Sequence, residues 1–146
     1  MIISAKNLQE TRKLIDKAAK NKEEIIVLAQ NSEFNRKILE NKKVNILLNP
    51  GFNGEDRLKQ RDSGLNEVLC KIAKENKIKI GINIEDLTKN KEKEQALILS
   101  RIIQNIRLCK RTGTEIRFLG KYDKKNLFSL LIILGAPTSQ AKNIVF

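Results

Sequence analysis

The sequence predicts an α/β protein built on a parallel sheet, and three observations predict it. Short apolar runs such as Ile25–Ala29 lack polar alternation, as strands covered on both faces require. Each run is followed by a segment whose apolar residues recur at helical spacing, the β-then-α rhythm of a parallel sheet. Turn and stop signals, Asn49-Pro50-Gly51, Gly113 and Gly135, fall between the segments. About five strands cannot close an eight-stranded barrel, so an open, partial barrel or a doubly wound sheet remains. The 146 residues contain no linker or low-complexity stretch and read as one domain, 1–146.

Met1–Ser4 is a short strand. Asn7 caps a helix from Leu8 to about Lys20, with Leu8, Thr11, Ile15 and Ala18 or Ala19 on one face. Ile25–Ala29 is the second strand. Asn31 or Ser32 caps a helix to about Asn41, buried through Phe34, Ile38 and Leu39. Val44–Leu48 is the third strand, and residues 50–62 are the longest loop. Asp62 or Ser63 starts a third helix that runs to about Asn76, with Leu65, Val68, Leu69 and Ile72 as its buried stripe. Ile78, Ile80, Ile82 and Ile84 alternate with Lys79, Gly81 and Asn83, a strand with one apolar and one mixed face. A long helix from about Lys91 to Arg111 ends at Gly113, and Thr114–Leu119 is the fifth strand. Asp123 caps a helix through Leu127, Leu130, Leu131 and Leu134, which Gly135 and Pro137 end. The tail, Thr138–Phe146, adds one turn of helix.

Charge points to partners. Lys and Arg number 29 against 17 Asp and Glu, a net charge of +12. A surplus of this size suits a polyanion, although Lys-rich solvated faces alone would also raise it. No apolar run approaches the roughly 18 residues of a membrane span, and the start is no signal peptide, so a cytoplasmic chain without a membrane partner is expected. The chain has no His, which removes the commonest general base and metal ligand. Cys70 and Cys109 lack metal-ligand spacing and read as reduced, small hydrophobes.

In parallel α/β folds functional groups collect at the carboxyl ends of the strands. There the loop after Leu48 carries Arg57, Lys59 and Arg61, followed by the expected helix start at Ser63, a candidate phosphate cradle. Its bland counterpart is a solvated loop. On the long helix, 100° per residue gives a buried arc of Ile98, Leu99, Ile102, Ile103, Ile106 and Cys109. Opposite lie Ser100, Gln104, Arg107 and Arg111, flanked by Arg101 and Lys110. Part of this basic end complements the helix dipole, while the rest suits contacts to RNA. Catalysis is poorly served. Glu55-Asp56 and Glu85-Asp86 find no third metal ligand, and Ser63, Ser100 and Tyr122 have no His partner. No phosphate-binding Gly-rich motif occurs. Aromatics are too few for a base-stacking surface, which favours recognition of structured RNA by shape and backbone charge.

The segment Arg61-Asp62-Ser63-Gly64-Leu65-Asn66-Glu67-Val68-Leu69, with Lys71-Ile72-Ala73-Lys74-Glu75-Asn76, resembles "(K/R)DSGLNHVLAKLAAEN" of the barrel-type ribonuclease P subunit family, called protein component 3 in archaea. Asn35-Arg36-Lys37-Ile38-Leu39-Glu40 and Val44–Pro50 resemble its "NRAALE…VDVLSHP", Gln104–Arg111 its "RRNLRLARKYG", and Leu134-Gly135 its "LG". The resemblance implies an incomplete, open TIM-like barrel that binds ribonuclease P RNA beside a small α/β partner and other protein subunits. The RNA, with Mg, would remove the 5′ leader from precursor tRNA. This chain would be inactive alone and would hold no cofactor. RNA- and partner-facing residues would be Arg61, Arg107, Lys110 and Arg111. The family's opening βα segment is missing, which implies a shortened, more open barrel. Ile103 and Gln104 replace an Arg pair, and Leu119-Gly120-Lys121 replaces "SGA". Rival readings are a basic scaffold of another RNA particle such as the ribosome, a nucleotide-binding α/β enzyme, and a metal-dependent phosphoesterase, which the absence of His opposes.

Overall fold

A computed structural model of the chain describes residues 1–53 and 62–146. Five strands form one sheet: β1 (Ile2–Ile3), β2 (Ile26–Leu28), β3 (Ile46–Leu48), β4 (Lys79–Asn83) and β5 (Ile116–Leu119). Every pairing is parallel, and the order in the sheet is the order in the chain, β1-β2-β3-β4-β5. A doubly wound sheet reverses direction at a switch point, and this one does not.

Register shows how the winding works. Val27, Leu47, Ile80 and Ile116 lie opposite one another across four strands. With Ile3, Ile82 and Phe118 they join the main core, which also takes the apolar residues of the helices. The alternate set, Ile26, Ile46 and Leu48, forms a second cluster with Leu28 and Leu119, and no helical residue enters it. Among the described residues all the helical packing is therefore on one face. Sequential parallel strands joined by crossovers of one hand require this. The arrangement is a β/α barrel left open between β5 and β1, the first of the two alternatives.

The helices are α1 (Leu8–Lys20), α2 (Ser32–Leu39), α3 (Glu67–Glu75), α4 (Ile84–Thr88), α5 (Glu92–Thr112), α6 (Lys124–Ile133) and α7 (Thr138–Val145). Asn7, Asn31 and Asp123 cap α1, α2 and α6 through side-chain acceptors, as their positions predict. Gly113 ends α5 at φ 74°, in the left-handed region that favours glycine. The Thr138–Phe146 tail holds a helix of eight residues, where one turn was expected.

Three local expectations are corrected. The third helix begins at Glu67 instead of Asp62 or Ser63, and Asn66 caps it by accepting from Leu69 N. Asp62 instead accepts from Gly64 N at 2.9 Å, an Asx turn that competes with helix initiation. Shifting the start rotates the buried stripe. Leu69, Cys70 and Ala73 are buried, while Val68 is 57% exposed. Ile84 leaves β4 to begin α4, because Asn83 turns its side chain onto Glu85 N and caps a helix there.

Gly81 on β4 is a packing requirement. A Cβ there would stand 2.5 Å from Ile46 Cγ2 and 3.2 Å from Leu48 Cδ1. The second cluster closes over the missing side chain. Gly81→Ala should therefore destabilise the fold by about 1–3 kcal/mol, as overpacking does. Urea unfolding reads this directly, and wild-type stability in the variant would contradict the packing.

Candidate nucleic-acid interface

The polar chemistry at the carboxyl edge of the sheet begins just after β3, at Asn49, a residue with φ 53°. Asparagine tolerates this conformation, and its side chain holds the turn. Asn49 Nδ2 donates to Asp86 Oδ2 at 2.8 Å, and Asn49 Oδ1 accepts from Asn83 N at 2.8 Å. Asp86 is therefore engaged with Asn49. Glu85 accepts from Lys121 N at 3.2 Å. This pair of carboxylates braces turns.

Behind Asn49 two stretches of chain meet. Gly51 and Gly64 lie so close that a Cβ on either would fall within 2.7 Å of the other stretch's backbone. Both have positive φ, 84° and 77°. Such a contact buries backbone carbonyls, which need donors. Arg101 Nη1 donates to Gly51 O at 2.8 Å, and Asn105 Nδ2 to Ser63 O at 3.2 Å. Asn35 Nδ2 donates to Gly64 O at 3.1 Å, while Asn35 Oδ1 accepts from Gln30 N at 2.8 Å. Arg101 and Asn105 stand one turn apart on α5 and reach the same neck. Arg101 is 3% exposed and Asn35 is 0% exposed.

This clamp corrects one sequence expectation. Arg101, placed beside the exposed basic stripe as an RNA contact, is turned inward onto Gly51. It is separated from solvent on the face that Arg107, Lys110 and Arg111 present. Arg57, Lys59 and Arg61 lie outside the described residues, as do Glu55 and Asp56. The helix start expected to back their phosphate cradle has moved to Glu67. The nearby cleft of about 450 Å³ is lined by Ser4, Gln30, Asn31, Asn49 and Asn53, with no charged residue among the described ones.

On α5, Arg107, Lys110 and Arg111 are exposed, and Ser100 and Gln104 are half-buried. Arg111 stands 3.7 Å from Glu67, which also pairs with Lys71 at 3.1 Å. The Lys71 ammonium, with a smaller contribution from Arg111, holds the Glu67 carboxyl below its ordinary range. Arg107 and Lys110 meet no carboxylate among the described residues. Leu99 and Ile103, expected to be buried, are half-buried, and Asn105 and Thr112 join the buried face instead. Ser63 is buried in the neck, Ser100 Oγ donates to Leu97 O, and Tyr122 Oη donates to Phe118 O at 3.4 Å.

Cys70 and Cys109 are buried in contact with each other between α3 and α5. Their neighbour Thr114 donates to Cys70 O at 2.7 Å. The hydrogen bond with Cys70, together with burial, pushes the Cys109 thiol well up. Among the described residues no helix is long and apolar enough to cross a membrane.

No family model matches the chain. In sequence it is similar to ribonuclease P protein component 3 of Methanococcus vannielii, at 30% identity over 114 residues, 78% of this chain and 47% of that protein. The protein of the same name from Methanosarcina acetivorans is 33% identical over 110 residues, 75% of this chain and 43% of that one. The chain thus spans just under half the length of these curated relatives. In fold it is similar to a chain of the cryo-EM structure of archaeal ribonuclease P with mature tRNA, with TM-score 0.78 and 23% identity over 98% of this chain and 62% of that one. A second likeness is the crystal structure of an uncharacterized protein, with TM-score 0.60 and 12% identity over 93% and 35% of the two chains. At these identities the structural likenesses concern the fold.

Two outcomes follow from this geometry. Arg101→Met keeps the aliphatic stem and removes the donor to Gly51, so it should lower stability by about 1.5–3 kcal/mol, the range for a hydrogen bond to a charged group. An unchanged melting temperature would place Arg101 outside the clamp. Both thiols are buried out of reach of a reagent, and Cys109, pushed up, also stays protonated, whereas the reactive form is an accessible thiolate. Ellman's reagent at pH 8 should therefore react slowly with the native chain and fully with it in guanidinium. Rapid reaction of the native chain would show the pair to be accessible.

Proposed function

From a chain homologous to the archaeal ribonuclease P protein component 3 proteins over most of its own length, we propose that this protein is an RNA-binding subunit of ribonuclease P. It supports RNA-catalysed removal of the 5′ leader from precursor tRNA and performs no chemistry itself. It works in a cytoplasmic particle beside other protein subunits, a small α/β protein among them, and any Mg belongs to the RNA. The sequence relationship carries this reading. The charge supports it, because a surplus of +12 on a chain without His suits binding to phosphate better than acid–base chemistry.

The candidate contacts within the described residues are Arg107, Lys110 and Arg111. They lie on the solvent side of the helix whose opposite side holds the neck. Phosphate contacts fix register and orientation without reading sequence, and Arg supplies a planar fork for them. Arg57, Lys59 and Arg61 belong to the same proposal.

The test is reconstitution with transcribed ribonuclease P RNA and the remaining protein subunits. Adding the chain should raise precursor-tRNA cleavage, and its affinity for the RNA should fall with salt at about 0.9 log units per log unit for each phosphate neutralised. Arg107→Ala combined with Arg111→Ala should weaken binding with the melting temperature nearly unchanged. Cleavage by the chain without RNA, or binding indifferent to salt, would overturn the reading.

A further inference from the structure

The rule that function gathers at the carboxyl ends of strands directs attention to one edge of the sheet. A cluster of lysines without acidic partners among the described residues lies at the other. Two adjoining clefts, of about 530 and 370 Å³, open at the amino edge where β4 and β5 begin, and they share Lys79, Gly113 and Glu115. Their cations are Lys74 in the last turn of α3, Lys77 just after it, Lys79 at the start of β4, Lys110 near the end of α5, and Arg117 on β5. Glu115 is the one carboxylate among the described lining residues. It pairs with Lys79 at 3.1 Å, and Arg117 reaches Glu24 at 2.6 Å. Lys74, Lys77 and Lys110 have no carboxylate partner among the described residues.

We propose that these clefts hold the ribose-phosphate backbone of RNA. This rests on the reading that the chain binds RNA, and it assigns the contact to the amino edge of the sheet. Lysines at helix C-termini complement the dipole, which accounts for Lys74 and Lys110 in part. It does not account for Lys77 and Lys79, which follow the end of α3. The far wall, from α7, presents Ser139, Gln140 and Asn143. Neutral hydroxyl and amide groups beside lysines are the set that contacts sugar and phosphate in nucleic-acid complexes. Gln140 Nε2 donates to Ile106 O at 3.1 Å, which fixes this wall to α5, and its Oε1 is buried. An acidic protein partner fits less well. Among the described lining residues there is no aromatic or Met side chain, and protein interfaces are anchored on those.

The experiment compares two triple variants of equal charge change in the full chain. One is Lys74→Glu, Lys77→Glu and Lys110→Glu. The control, away from the clefts, is Lys121→Glu, Lys124→Glu and Lys125→Glu, all exposed. Circular dichroism melts confirm that both fold, and affinity for transcribed ribonuclease P RNA is measured against salt. The amino-edge variant should lose at least about tenfold in affinity and about three units of salt slope, roughly one per phosphate-contacting Lys, with a much smaller loss in the control. Equal losses in the two variants, or a larger loss in the control, would overturn the assignment while leaving RNA binding intact. Retained RNA affinity with failed assembly onto the other subunits would show that a protein occupies the clefts, which also overturns it. Wild-type protein that binds no RNA at all would remove the underlying reading instead.

Discussion

A few side-chain donors close the neck at the carboxyl edge of the sheet, and the remainder of that edge depends on them. Gly51 and Gly64 bring two backbones into van der Waals contact, which strands carbonyls away from water. Arg101, Asn105 and Asn35 supply the hydrogen bonds those carbonyls would otherwise lack. Without them each buried acceptor would carry a penalty of about 1–3 kcal/mol. The same donors tie α5 and α2 to one point, so the clamp couples the longest helix to the sheet edge. An arginine in this role is structural, although its charge alone suggests a surface contact.

The fold separates two kinds of polar surface. At the carboxyl edge the described side chains are mostly neutral amides engaged with backbone or with Asp86. At the amino edge lysines follow the helices into the strands, and Lys74, Lys77 and Lys110 lack acidic partners among the described residues. Parallel β/α winding produces this separation without special design. The helices α1, α2, α3 and α5, each leading into the next strand, end at the amino edge, where the dipole favours cations. A basic protein on such a framework places much of its free positive charge opposite the usual active-site edge.

Much of the fold was legible from residues. Buried strands announce themselves by unbroken apolar runs, as at Ile25–Ala29, and Asn or Asp before an amphipathic stretch marked α1, α2 and α6. The third helix was misplaced because Asp62-Ser63-Gly64 and Asn66 offer two capping signals in succession, and burial of Ser63 and Gly64 decided between them. The clamp was hidden for a different reason. Arg101 and Asn105 look like polar interruptions of an apolar helix. Only Asn105, at the middle of the buried arc between Ile98, Ile102 and Cys109, gave a signal that a polar group was needed inside. The partner it needs, Ser63 O, is 42 residues away in the chain, beyond the reach of local pattern.

The sequential order of the strands has a consequence for how the molecule is made. Each strand's partner in the sheet is also its neighbour along the chain, so every pairing closes a single βα excursion. Loop-closure entropy is then met in small instalments, and no strand waits for a distant segment before it can pair. A chain emerging from the ribosome can add β2 to β1, β3 to β2 and so on, laying each helix over the seam just formed. Assembly by accretion leaves, besides the β1 edge, one growing edge at any moment, which limits the time a newly made strand is exposed to other chains.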